Sequence, residues 1–415
     1  MTGDISEPGV PASQGEPGPP EASLQAGRAE AAGPPEVSPP AGVPGVPGLP
    51  GVPGVPGVPG VPGVPGVPGL PGVEDPARLG AWLRSNGGPP GELRGVELIS
   101  GGRSNLTYRL DLGQETLVLR RPPLGHVLPT AHDMAREYRV LSALRDTDIP
   151  VPAPIAYCPD TDVIGAPFYL MKYVPGLVLR SRQDGAQLTS DQGRQLSLRL
   201  AEMLAAIHGV DTDAVGLTGF GRPDGYLARQ LARWQRQWEL SATRPMPGYD
   251  ALVERLTAGL PESAEGTLVH GDFRLDNMLV TLGPEPAIAA VVDWEMSTLG
   301  DPLADLGLTL MYWADPGEED WLEINVGAGV TSLPGFLSRA ALATRYAELT
   351  GRDISGIGYY MAFGCFKLAV VLEGIHARFL QHKTVGEGFE REGPAVPVLI
   401  DRAHRMLDAG PFEAA

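Results

Sequence analysis

The chain is poor in cysteine, in basic residues and in long apolar runs. Only Cys158 and Cys365 occur in 415 residues. That is too few for a disulfide framework and fits a reducing compartment, so a cytoplasmic location is expected. With no Cys pair and no His cluster, a zinc-type ligand set is missing. Lys and Arg number 32 against 50 Asp and Glu, a net charge of −18. A protein that grips nucleic-acid phosphates carries a basic face, and this balance argues against that class. No run of eighteen apolar residues occurs, so no membrane span is expected. The stretch from Met1 to Glu7 lacks the basic region and apolar core of a secretory signal.

What is present divides unevenly. Residues 1–73 are rich in Pro, Gly, Ala and Glu and hold no aromatic residue. From Gly42 to Pro71 they run through ten consecutive Gly-x-Pro triplets. Gly at every third place is compatible with a collagen-like trimer, but low apolar content with dense Pro and Gly favours a disordered, partly polyproline-II spacer. The expected division is a disordered tail over 1–73, a nucleotide-binding lobe over 74–173 and a catalytic, substrate-binding lobe over 174–415.

The most informative residues lie late in the chain. Val269-His270-Gly271-Asp272-Phe273-Arg274-Leu275-Asp276-Asn277 places an Asp five residues before an Asn, and Val291-Val292-Asp293-Trp294-Glu295 ends an apolar run on a second Asp. Acid, amide, acid in this order is the layout of a kinase active site. Phosphoryl transfer needs a carboxylate to orient an acceptor hydroxyl and take its proton, here Asp272. It also needs hard oxygen ligands for Mg2+ against the ATP phosphates, here Asn277 and Asp293. Arg274 is a candidate for neutralising transition-state charge, with a salt bridge to Asp276 as the alternative.

Upstream, the short runs Glu97–Ser100, Leu106–Leu110, Thr116–Arg120 and Phe168–Met171 read as strands, and three-and-four spacing over Ala131–Arg145 reads as a helix. Beyond Ser190 the pattern is mostly helical. Strands first and helices after predict an α+β, bilobal protein-kinase-like fold with a β-rich N-lobe and a mainly helical C-lobe. In that layout the turn Ser100–Asn105, with Gly101, Gly102 and Ser104, offers backbone N–H groups to phosphates. Arg120 occupies the place of the kinase strand lysine and Glu137 that of its helix partner, since alternation puts Val118 and Arg120 on one face and Arg121 on the other. Arg121 is expected to matter little. Met171 and Tyr173 fall in the linker that meets adenine.

These motifs resemble the aminoglycoside phosphotransferase-like small-molecule kinases, whose catalytic loop reads H-G-D-x-x-x-x-N and whose metal strand reads D-W-E. Gly300-Asp301-Pro302-Leu303-Ala304-Asp305-Leu306 is similar to that family's G-D-P-x-x-D-L stretch. The resemblance covers the chain from about Glu74 onward. It implies ATP and Mg2+ as cofactors and a small-molecule hydroxyl as acceptor. It also implies that Asp305 supports the catalytic loop by hydrogen bonds, although an Asp at a helix start is also a routine cap. His208 recurs in the family before a turn and is read as a core or capping residue. The Val118–Pro123 run and the apolar stretch Tyr359–His376 look most like the kinase-like domain associated with acyl-CoA dehydrogenases. That implies a hydroxyacyl-CoA-type acceptor and an acyl-CoA dehydrogenase partner. An antibiotic phosphotransferase and a catalytically weak nucleotide-binding pseudokinase are the alternatives, and the sequence leaves the oligomeric state open.

Overall fold

The computed structural model describes residues 70–101, 105–124, 133–262, 266–318, 329–382, 389–408 and 412. Helix α1 (Pro76–Ser85) leads into strands β1 (Gly95–Gly101), β2 (Leu106–Asp111) and β3 (Thr116–Arg121), then α2 (Met134–Leu144), β4 (Pro154–Cys158) and β5 (Phe168–Lys172). The strands form one antiparallel sheet in the order β1-β2-β3-β5-β4. Side chains alternate across β3. Leu117 and Leu119 join the core that buries Leu79, Leu83, Tyr108 and Phe168, while Val118 turns to the opposite face with Tyr169 and Met171. Asp75 caps α1 by accepting from Arg78 N–H at 3.0 Å, and Asp133 caps α2 by accepting from Arg136 N–H at 3.0 Å.

The N-lobe reaches four residues further back than the expected boundary at residue 74. Leu70 and Val73 form a bridge, Val73 is fully buried, and the carbonyls of Pro71 and Gly72 accept from Tyr108 Oη and from Arg121 Nη1. Arg121 also donates to Ile164 O at 2.8 Å. Arg121 is therefore a buried structural residue. It faces away from the cleft, as alternation predicts, and there it staples the end of the Gly-x-Pro run to the lobe. Gly72 has φ +88°, and a Cβ there would lie 2.6 Å from Tyr108 Oη, so glycine is required at this seat.

The C-lobe follows with α3 (Arg182–Gly185), α4 (Ser190–His208), α5 (Tyr226–Ser241) and α6 (Tyr249–Ala258). Next come β6 (Thr267–Val269), β7 (Met278–Thr281), β8 (Ala287–Val291), β9 (Thr298–Gly300) and α7 (Pro302–Tyr312). The described part closes with α8 (Arg339–Thr350), α9 (Ile357–Leu380) and α10 (Glu392–Asp408). Strand β6 pairs with β9 and β7 with β8, so two short hairpin-like ladders carry the catalytic residues on the helical lobe. Helix α9 is long and apolar enough to cross a membrane by length and composition, yet 78% of that window is buried inside the protein. It packs against α5, α7 and α10 as the spine of the lobe.

Candidate active site

The loop between β6 and β7 is shaped by three constraints. Gly271 has φ +83°, and a Cβ there would meet Met296 O at 2.6 Å, which explains why glycine stands where protein kinases carry Arg. Asp305, one turn inside α7, accepts from His270 N–H at 2.6 Å and Gly271 N–H at 2.8 Å. His208 Nε2 lies 3.3 Å from the same carboxylate, and His208 Nδ1 lies 2.7 Å from Tyr346 Oη. Burial pushes Asp305 up, but the hydrogen bond and charge of His208, with help from His270, outweigh it and hold the carboxyl below its ordinary range. The cap of α7 is instead Asp301, which accepts from Leu303 N–H at 2.9 Å. His270 Nε2 donates to Val292 O at 3.0 Å and its Nδ1 accepts from Asp272 N–H at 3.3 Å, which selects the neutral Nε2–H tautomer.

Asp272 and Asn277 then face each other. Asn277 Nδ2 donates to Asp272 O at 2.8 Å and to Asp272 Oδ2 at 3.0 Å. Asn277 O accepts from Val292 N–H at 2.9 Å, which ties this loop to the strand end carrying Asp293. Asp293 is in the left-handed region, φ 68° and ψ 57°. For a non-glycine residue that costs roughly 1–2 kcal/mol, and such strain gathers where geometry serves a site.

Arg120 joins the lobes. Its Nε donates to Glu137 Oε2 at 3.1 Å, and its Nη2 donates to Asp293 Oδ1. Glu137 is 1% exposed. Burial pushes Glu137 above the ordinary carboxylate range, with Arg120 pulling it down and Asp293 and Glu295 pushing it up; Asp293 is raised for the same first reason. A second inter-lobe bond runs from Asn105 Nδ2 to Glu295 Oε2 at 2.8 Å. Neither Asn105 nor Glu295 was assigned a role from sequence. The DWE motif carried the signal for Glu295; Asn105, the last residue of a Gly-rich turn, offered none.

Between the lobes lies a cavity of about 410 Å3, lined by Val118, Arg120, Met171, Tyr173, Asn277 and Asp293 among others. Gly101 ends β1 opposite Leu106; Gly102 and Ser104 lie outside the described residues. In the linker, Lys172 N–H and Tyr173 N–H already donate to Ala153 O and Thr116 O, at 2.8 and 3.3 Å. Arg274 is the expected residue that sits apart. It is held by both carboxylate oxygens of Asp276 and lies over the Tyr312 ring at 4.5 Å, so reaching a phosphate would require it to release Asp276.

The donor set of the cleft fits a nucleotide with a hard cation. Asn277 donates through Nδ2, which leaves its amide oxygen as a ligand beside the carboxylate of Asp293, and Asn105 Oδ1 is buried on the cavity wall without a hydrogen-bond donor among the described residues. A second, smaller pair of chambers opens on the C-lobe side of Asp272. One of about 330 Å3 is lined by Tyr226, Arg233, Trp234, Glu295, Phe363 and Lys367, and one of about 190 Å3 by Trp234, Asp272, Leu308, Lys367, Leu368 and Val371.

Comparison with known proteins agrees with this arrangement. Residues 95–341 match the phosphotransferase enzyme family. The chain is 34% identical over 304 residues to mouse acyl-CoA dehydrogenase family member 10, and 36% identical over 297 residues to chicken acyl-CoA dehydrogenase family member 11. Those alignments take in 73% and 70% of this chain but only 28% and 38% of the relatives, so the chain spans well under half of their length. A crystal structure from Ralstonia eutropha, provisionally named an aminoglycoside phosphotransferase, superposes with TM-score 0.68 at 33% identity, covering 79% of this chain and 97% of that one. The fold is that of the aminoglycoside phosphotransferases, and the chain belongs to the phosphotransferase enzyme family.

Proposed function

We propose that the protein transfers the γ-phosphate of ATP to a hydroxyl group of a small molecule, with Mg2+ held by Asn277 and Asp293. The observation that carries this reading is the joint placement of Asn277, Asp293 and Arg120 on the wall of one inter-lobe cavity, with Asp272 hydrogen-bonded to Asn277 and lining the neighbouring chamber. Asp272 orients the acceptor hydroxyl and takes its proton as the new O–Pγ bond forms and the bond from Pγ to the β-phosphate oxygen breaks, releasing ADP. The metal, when bound, neutralises charge on the phosphate oxygens. Arg120, steered by Glu137, holds the α- and β-phosphates, and Asp305 keeps the loop amides in place.

The acceptor proposed is a hydroxyacyl-CoA-type compound. Two features support it: the relatives named for acyl-CoA dehydrogenases, and the apolar wall of Leu308, Leu368 and Val371 beside Asp272. An aminoglycoside, the runner-up acceptor, is a polycation that calls for clustered free carboxylates. The test is a screen of 32P transfer from γ-labelled ATP over hydroxyacyl-CoAs, aminoglycosides, macrolides and amino alcohols. Transfer to the hydroxyacyl class is expected. Transfer to an aminoglycoside alone would replace the acceptor, and binding of Mg-ATP without transfer to any compound would leave a nucleotide-binding pseudokinase.

A further inference from the structure

Helix α9 is apolar almost throughout, yet Lys367 stands in its middle, one of three lysines in the chain. Its Nζ donates to Gly271 O at 2.8 Å, next to Asp272, and lies 5.8 Å from the centroid of the Trp234 ring. Arg233, the residue before that tryptophan on α5, holds its guanidinium 5.3 Å from the same centroid. Two cations therefore lie against one indole, and both line the chamber of about 330 Å3 that passes Gly271, the neighbour of Asp272. Among the described residues neither has a carboxylate within ion-pair distance. Like charges brought together are unfavourable; Asp272 and Asp305 attract Lys367 from beyond ion-pair distance and offset part of that cost, in a chain of net charge −18.

Asp272 attracts Lys367 through space and accepts from Asn277 Nδ2, and the other charged groups on this wall are engaged as well. Asp305 serves the loop amides and His208, Glu295 takes Asn105 Nδ2, and Asp133 takes Arg136 N–H. Arg136 donates to Phe220 O at 2.8 Å and Ser297 O at 3.0 Å. Of the three N–H donors of Lys367, Gly271 O uses one. Apart from the carboxylate of Asp272, the unspent capacity of the chamber is thus cationic, on an aromatic floor.

We infer that Lys367 and Arg233, over Trp234, form an oxyanion-binding pole that selects acceptors carrying a carboxylate or phosphate in the same molecule as the reacting hydroxyl. This rests on the phosphotransferase reading above and adds to it the charge of the acceptor and the residues that read it. The same pole repels a polycation, because a like charge at an interface is penalised.

The test uses the full chain with Mg2+ and AMP-PNP present and measures binding by titration calorimetry. The probes are 3-hydroxybutyryl-CoA, free 3-hydroxybutyrate, its neutral methyl ester, and kanamycin. At least one anionic probe should bind about tenfold or more tightly than the ester, the worth of one charge-assisted contact. Arg233→Met and Lys367→Met should each remove about that factor, without altering ester or AMP-PNP affinity. Lys367→Arg should keep the preference, and it carries the test should the Met variant fail to fold. Tighter binding of the free acid identifies a carboxylate as the recognised group, and tighter binding of the thioester identifies the CoA phosphates. Equal binding of acid, thioester and ester, tighter binding of kanamycin, or no binding of either anion would overturn the inference. Loss of AMP-PNP binding by the wild-type chain would instead sink the underlying kinase reading. Transfer to a neutral or cationic acceptor would leave that reading standing and remove only the oxyanion pole.

Discussion

Replacing Arg120 with Met tests the joint between the lobes. Arg120 holds the buried Glu137, 1% exposed, and the partly exposed Asp293. Removing it strands Glu137 in a low-dielectric site, and breaking a buried pair costs about 3–5 kcal/mol. In a fold of this size each kcal/mol shifts the melting temperature by about 1.5 °C, so the loss at pH 8 should be roughly 5–8 °C. Glu137 can escape part of that cost by taking a proton. Its carboxyl is already raised by burial, and losing Arg120, which pulls it down, raises it further. A group whose folded pKa lies above its unfolded value contributes stability that is fully present below the unfolded pKa and lost as pH rises through the folded one. The deficit of the variant should therefore shrink from pH 8 to pH 5. Adding Glu137→Gln should recover part of the deficit and flatten its pH dependence. Thermal melts followed by circular dichroism at both pH values measure all three quantities. An equal deficit at pH 5 and pH 8, or a double variant no more stable than Arg120→Met, would refute the argument. Kinetically, Arg120→Met should raise the KM for ATP and lower kcat, and Arg120→Lys should be partly active, because an ammonium cannot grip phosphate and carboxylate through one planar fork.

Deleting residues 1–69 should leave the melting temperature near that of the full chain, whereas deleting 1–73 should lower it measurably. The longer cut removes the buried Val73, worth about 1.5–3 kcal/mol, and the carbonyl partners of Tyr108 and Arg121. Asp305→Asn should destabilise the fold by about 2–3 kcal/mol at neutral pH, by weakening bonds to two loop amides and His208. Because the Asp305 carboxyl lies below its ordinary range, its contribution is present above the unfolded pKa and lost as pH falls through the folded one. The gap to wild type in denaturant melts should therefore close under strongly acid conditions. Gly271→Ala should cut kcat by an order of magnitude or more with little change in nucleotide affinity, because the new methyl meets Met296 O and displaces the loop beside Asp272; unchanged kcat would show that the loop tolerates the shift.

The fold was legible where residues obey local rules. Short β-prone runs bounded by turn residues found β1, β2, β3 and β5, and the three-and-four spacing found α2. Strand β4 was missed because Pro150, Pro152 and Pro154 read as breakers; Pro154 is tolerated because it opens an edge strand. The loop motif marked Asp272 and Asn277 because chemistry imposes their spacing. Arg274 carried no such constraint, and its engagement by Asp276 depends on rotamers that spacing does not set. Asp305 and Asp301 both stand near a helix start, and only the tertiary path of the loop decides which caps and which supports. Lys367 and Trp234 lie 133 positions apart in the numbering. Their meeting follows from α5 packing on α9, which no local pattern reports. The docking of Leu70–Val73 was hidden because those residues continue a repeat whose earlier copies share their composition.

The central claim is that Asp272 relieves an acceptor hydroxyl of its proton during transfer from Mg-ATP. Single-turnover measurement of γ-phosphate transfer, with nucleotide affinity measured alongside on the same samples, tests it most directly in wild type and Asp272→Asn. The variant keeps the shape of the side chain and loses the proton acceptor. The rate should fall about a hundredfold or more while the Kd for Mg-ATP stays within about twofold of wild type. An unchanged rate in Asp272→Asn would contradict the account.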